Sequence, residues 1–315
     1  MKFSSMFLEV ISITAPIFIV IAVGFLIKKK NIISEEGVSL LNKLAYNIGL
    51  PSLIFLSITN YSLSDIFNVQ IVKVIYLTYA LLILLTILIN FAVKRSGKTK
   101  GAIIVASFRC NMAFVGFPIV LTAYGDLALA KASLIVALLV PINIIVTIII
   151  FKFYNRREES TGAGRLLLSF VKDPMIIGAV SGILFSYFQV PVPEVFHSSL
   201  DIISGMTVAI ALFSIGASFK FVHIKNDFKI VSYISFNKLI LLPAAAFILS
   251  TFVFKVETFD RNVMVVLFAT PLAVAAYIMA KELRSNHQLL ASALILTTVV
   301  SALMISAWLL LFKFL

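Results

Sequence analysis

Few residues in this chain could do chemistry, and several of them sit where polar groups are costly. In "SFRCNMAFVGFPIVLTAYGD", residues 107–126, an arginine, an asparagine, two glycines and a proline interrupt a long apolar run. An ionisable side chain inside a membrane segment marks a functional site by default, because charge is poorly solvated in hydrocarbon. Arg109 lies about two helical turns into its run, near the expected bilayer centre, and the sequence places no Asp or Glu comparably deep. Broken-helix pumps for protons and sodium often carry midplane carboxylates, so a deep lone cation points instead to an anionic substrate. Arg109 also suits a structural role, bonding backbone carbonyls at a helix break or reaching an aqueous vestibule on the inner side. Asn111 follows on the same stretch, and its amide could bond a carboxylate or an unwound backbone.

Proline inside a span removes a backbone donor and clashes with the preceding turn, and it is well suited to begin a new half-helix. Pro118, with Gly116 beside it, and Pro271, with Thr270 beside it, are expected to interrupt their helices. The Thr270 hydroxyl could satisfy a carbonyl freed by the break. Two half-helix N-termini meeting from opposite sides would present free N–H groups and partial positive charge, which is an anion site. The candidate substrate-binding residues are therefore Arg109, Asn111, Gly116, Pro118, Thr270 and Pro271.

The elements that must hold these residues follow from composition. The chain has 315 residues, 61% of them hydrophobic and 13% charged, with 28 Phe; soluble domains carry about 25% charged residues. Apolar runs long enough to cross about 30 Å of hydrocarbon alternate with short polar loops, which predicts an all-α membrane protein rather than a barrel. Ten spans are expected, at about residues 7–27, 38–60, 71–93, 101–123, 131–152, 174–190, 203–220, 231–254, 262–281 and 289–312. The first apolar run lacks a small-residue cleavage site and reads as a retained helix. Cys110 is the single cysteine, so no internal disulfide can form.

The net charge of +12 resembles a nucleic-acid signature until it is sorted by loop. Loops after odd-numbered spans carry 17 basic residues and the opposite segments carry five: Lys2, Lys131, Lys255, Arg261 and Lys313. That asymmetry puts both termini outside and the central loop in the cytoplasm, with the bilayer and not nucleic acid as the partner. Of the four basic residues left within spans, Lys43, Lys73 and Lys238 are expected to snorkel towards an interface, which leaves Arg109.

Ten spans divide into five and five around "YNRREESTGAGR" at 154–165. An odd number per half forces the halves to run in opposite directions, the condition for an inverted repeat. The domain expectation is a first five-helix repeat at 1–152, a cytosolic loop at 153–173 and a second repeat at 174–315. Spans 4 and 9, "NMAFVGFPIVLTAYGD" and "FATPLAVAAYIMAKE", would be counterparts that cross at the midplane. Span 2, with "NKLAYNIGLPSLIF", and span 7, with "GMTVAIALFSIGASF", read as scaffold, their small residues allowing close packing. His197, His223 and His287 fall in loops on different sides and cannot share a metal. No Walker loop is present, so no ATP hydrolysis, no enzyme activity and no cofactor are expected.

These motifs together resemble the auxin efflux carrier family, the plant PIN-type carriers and their prokaryotic relatives. The resemblance is carried in order by "NKLAYNIGLPSLIF", "RCNMAFVGFPIVLTAYGD", "VKDPMIIGAVSGILF", "ALFSIGASF", "ATPLAVAAYIMAKE" and "LLASALILTTVVSALMISAWLLL". It implies two inverted five-helix repeats, a scaffold and dimer contact from spans 1, 2, 6 and 7, and a mobile transport domain from spans 3–5 and 8–10. It implies organic carboxylates as substrates, with Asn111 as the substrate-contacting asparagine and Pro118 and Pro271 at or beside the crossover. The chain departs from plant carriers at Ala276 and Leu272 and in its short central loop, so malonate or malate is as good an expectation as auxin. Three readings stand: a secondary carrier of organic anions, a channel or uniporter driven by membrane potential, and a receptor or scaffold that binds without transporting. The first is favoured by the paired breaks with deep Arg109.

Overall fold

The computed structural model describes residues 2–155, 172–219 and 227–315, and among them the regular structure is helical. Six helices among the described residues are long and apolar enough to cross a membrane: Ser5–Lys29, Val69–Ala92, Asp126–Tyr154, Glu194–Ala217, Phe228–Val253 and His287–Phe312. The apolar helices Met112–Tyr124 and Pro174–Tyr187 are shorter. Most of the 153–173 loop, with Arg156, Arg157 and Arg165, lies outside the described residues, as do Lys220, His223 and Lys225.

The chain packs as two compact units. One comprises residues 1–68, 112–140 and 170–219, the other 69–111, 141–169 and 220–315. Each unit thus draws on both halves of the sequence. The helix Asp126–Tyr154 contributes to both, and the division falls at Pro141 within it.

In the first unit, helix α1 (Lys2–Lys29) runs against the helix Glu194–Ala217. The contact is backbone to backbone. A Cβ on Gly24 would collide with Phe213 O, and one on Gly216 with Ile21 O. Small residues permit this approach, as helices in lipid require. The helix Pro174–Tyr187 is started by Asp173, whose carboxylate accepts from Met175 N at 3.0 Å and Ile176 N at 3.3 Å and also from Tyr46 Oη at 2.6 Å. Pro174 occupies the first helical position, where a missing N–H costs nothing. Asn42 reaches the Glu194–Ala217 helix, accepting from Ser214 Oγ at 2.9 Å and donating to Ser218 Oγ at 3.4 Å.

Three prolines share one local device. Pro51, Pro118 and Pro243 each follow a π turn, at Ala45–Gly49, Met112–Gly116 and Asn237–Leu241, and each sits second in the α segment after it. A proline cannot donate to the carbonyl four residues back and its ring clashes with it. One wider turn relieves that clash without ending the helix. Helix Phe117–Tyr124 ends instead at Gly125, whose φ of +80° suits glycine and turns the chain into Asp126.

In the second unit, α2 (Gly97–Phe108) and α3 (Thr258–Phe268) carry the most deeply buried segments: residues 102–106 and 263–268 are wholly enclosed. Ser96 caps α2 by accepting from Thr99 N. Polar loop ends are tied together, with Asn155 Nδ2 donating to Leu283 O at 2.9 Å and Asn286 Nδ2 to Thr99 Oγ1 at 3.2 Å.

Candidate functional site

The second unit holds a place where two helices are interrupted against each other. Helix α2 stops at Phe108, and Arg109 turns extended with φ −68° and ψ 101°. Helix α3 stops at Phe268, and the chain runs through residues 270–273 before α4 (Val274–Glu282) begins. The two interruptions pair. Cys110 and Leu272 form an isolated antiparallel bridge, with Asn111 N donating to Pro271 O at 2.9 Å and Ala273 N donating to Arg109 O at 3.1 Å. Leu272 N donates to Thr297 Oγ1 at 3.1 Å, and Thr270 Oγ1 donates to Leu267 O at 2.6 Å. Non-helical backbone at membrane depth is tolerated only when its polar groups find protein partners or line a cavity. The bridge satisfies many of those groups here.

The side chains around the bridge are polar and buried. Arg109 donates from an Nη to Thr147 Oγ1 at 3.2 Å. Asn111 is 7% exposed, yet its Nδ2 has no hydrogen-bond partner among the described residues. The same holds for Tyr79 Oη and Asn143 Oδ1. The Tyr79 ring lies 5.5 Å from the rings of both Phe108 and Phe268, the last residues of the two interrupted helices. Buried polar atoms without partners are uncommon, and each calls for an explanation such as a ligand or water. Val274 and Ala275 open α4, where N–H groups have no intrahelical acceptor and the dipole favours an anion.

Arg109, Asn111, Thr270 and Pro271 are therefore brought together in the second unit, while Gly116 and Pro118 belong to the first. Two expectations change. The break in the fourth span falls at residues 109–111 and not at Pro118, which lies inside a continuous helical run from Met112 to Tyr124. The π turn before it absorbs the proline. Pro271 lies within the ninth-span interruption itself, and α4 is entered from Ala273 rather than from the proline.

Lys238 does not snorkel. Its side chain is fully buried, with Nζ 2.9 Å from both Phe268 O and Cys110 Sγ. Lys238 lies within the π turn Asn237–Leu241, a feature that apolar run length does not reveal. Arg261, counted by sequence among the outer-segment cations, is buried, as is Asp260 before it; they are 8% and 2% exposed. Arg261 lies 5.1 Å over the Phe247 ring, a cation–π contact. His197 and His287 fall in the first turns of helices rather than in loops, and no cluster among the described residues could hold a metal ion.

The family model described as membrane transport protein matches residues 9–309. The chain belongs to this family. It is similar to an uncharacterized transporter of Methanocaldococcus jannaschii, 27% identical over 93% of this chain and 95% of the relative. A second, from Methanothermobacter thermautotrophicus, is 24% identical over the same shares. The uncharacterized transporter YfdV of Escherichia coli is 24% identical over 73% of this chain and 74% of its own. The protein is a multi-pass membrane transporter of the family that the sequence resembles.

Proposed function

We propose that this membrane transporter is a secondary carrier of a small organic anion, a carboxylate, working by alternating access around the bridged interruptions. The observation that carries the reading is Asn111. Its buried amide donor has no partner among the described residues, its backbone N–H belongs to the bridge, and it follows Arg109 by two residues. A carboxylate accepts hydrogen bonds from a donor of this kind and is favoured by nearby cationic charge. The α4 N-terminus adds dipole and free N–H groups.

In this reading the chain makes ten spans as two inverted five-helix repeats, with helices 4 and 9 broken and crossing. Scaffold and dimer contact come from spans 1, 2, 6 and 7, and the termini lie outside. The 17-to-5 asymmetry of basic residues supports the orientation. The gathering of residues 1–68 with 170–219, and of 69–111 with 220–315, supports two functional bodies. A carboxylate of the malonate, malate or auxin type is the proposed substrate class, and a homodimer the proposed assembly. A potential-driven uniporter is the second reading. The bridged residues 109–111 and 271–273 include no carboxylate to couple a proton, which is what supports it.

The test is a thermal-shift screen of purified protein against a panel of carboxylates. A carboxylate should raise the melting temperature of the wild type, and Asn111→Ala should lose that response while remaining folded. A panel with no hit on folded protein would rule against a carboxylate, and an undiminished response in Asn111→Ala would rule against this site.

A further inference from the structure

Two helix C-termini converge on Lys238 and Cys110. Phe268 is the last residue of α3, so its carbonyl belongs to the group without an intrahelical partner and lies at the negative end of the helix dipole. Lys238 Nζ donates to that oxygen at 2.9 Å. Phe108 is the last residue of α2, and the Cys110 thiol donates towards Phe108 O at 3.4 Å and Phe268 O at 3.6 Å. Its sulfur then accepts from Lys238 Nζ at 2.9 Å.

The π turn Asn237–Leu241 aims this arrangement. Asn237 Nδ2 reaches Ser107 Oγ at 3.3 Å in the last turn of α2, and Lys238 beside it is 0% exposed. An enclosed ammonium is stable only where polar groups compensate its lost hydration. Carbonyls at the ends of interrupted helices are what broken-helix transporters use to coordinate a coupling cation. Here a covalently attached cation is already bonded to such a carbonyl.

We propose that the Lys238 ammonium is a built-in cation that fills the carbonyl end of the bridged interruptions and makes this transporter independent of sodium. The inference rests on reading those interruptions as the transport site. Its test adds no substrate, so a failed carboxylate screen leaves its outcomes intact.

Melting temperature and binding of radioactive sodium are measured on the purified full-length chain, in sodium chloride and in choline chloride at equal ionic strength. The wild type should melt at the same temperature in both and show no saturable sodium binding. Lys238→Ala should melt several degrees lower, and methylammonium chloride, which mimics the lysine head, should recover most of that loss. Tetramethylammonium, which cannot donate a hydrogen bond, should not. Saturable sodium binding by the wild type overturns the proposal. So does a Lys238→Ala protein as stable as the wild type, or one destabilised but indifferent to methylammonium. If Lys238→Ala does not fold, the wild-type sodium measurement decides, with Lys238→Arg as the charge-retaining variant that should fold and ignore sodium.

Discussion

Asn111 and Arg109 are adjacent in function but opposite in their expected cost to the fold. The Asn111 Nδ2 is buried without a partner, and such a donor costs about 1–3 kcal/mol. Asn111→Ala should therefore leave the unliganded melting temperature unchanged or slightly raised while abolishing the carboxylate response. A lowered melting temperature together with retained binding would make Asn111 a structural residue. Arg109 bonds Thr147, and hydrogen bonds to charged groups contribute about 1.5–3 kcal/mol. Arg109→Gln removes the charge, keeps a buried side chain able to hydrogen-bond and should stay folded, but ligand affinity should fall at least tenfold by thermal shift or calorimetry. At this scale the sequence was informative where a side chain was out of place in hydrocarbon, as with Arg109 and Asn111. It was silent on Tyr79, Asn143 and Thr147, whose types are ordinary in a span and whose meaning comes only from what they face.

Elements are governed by how closely backbones approach and where turns widen. In the contact between α1 and the helix Glu194–Ala217, any side chain at Gly216 would meet the carbonyl of Ile21. Gly216→Val should cost several kcal/mol and sharply lower the yield of folded protein in detergent, since backbone cannot yield as a side chain tip can. Gly205 on the same helix has nothing within 4 Å of an added Cβ, so Gly205→Ala should be neutral or stabilising by up to about 1 kcal/mol. Equal melting temperatures for the two variants would contradict the packing described. Apolar run length located most helices, because hydrophobic span is a one-dimensional property. Proline read as a helix interrupter places the fourth-span break at Pro118 rather than near Arg109. In the fold, a π turn accommodates it, and pairing with a distant segment at Leu272 interrupts the helix instead. That pairing is set by tertiary contact, which local sequence does not encode.

At the scale of the whole molecule, orientation follows from where the basic residues fall along the chain. The basic asymmetry predicts that a cysteine at Lys98 in a Cys110→Ser background is labelled by an impermeant maleimide only after the membrane is permeabilised. One at Glu257, in a segment of the other side, should be labelled in intact cells. The reverse pattern would invert the topology. Legible at this scale is a multi-pass, helical membrane protein, because long apolar runs can be satisfied in lipid only as helices. Which segments pack into one unit is not, since residues 112–140 join 1–68 although their neighbours in sequence do not.

The central claim is that the bridged interruptions bind and carry an organic anion. The most direct measurement is counterflow in proteoliposomes, using the radiolabelled carboxylate that gives the largest thermal shift. The account predicts exchange that saturates with substrate, is absent from Arg109→Gln vesicles, and proceeds equally with sodium or choline outside. Flux that rises without saturating, or that survives in Arg109→Gln, would contradict a carrier built on this site.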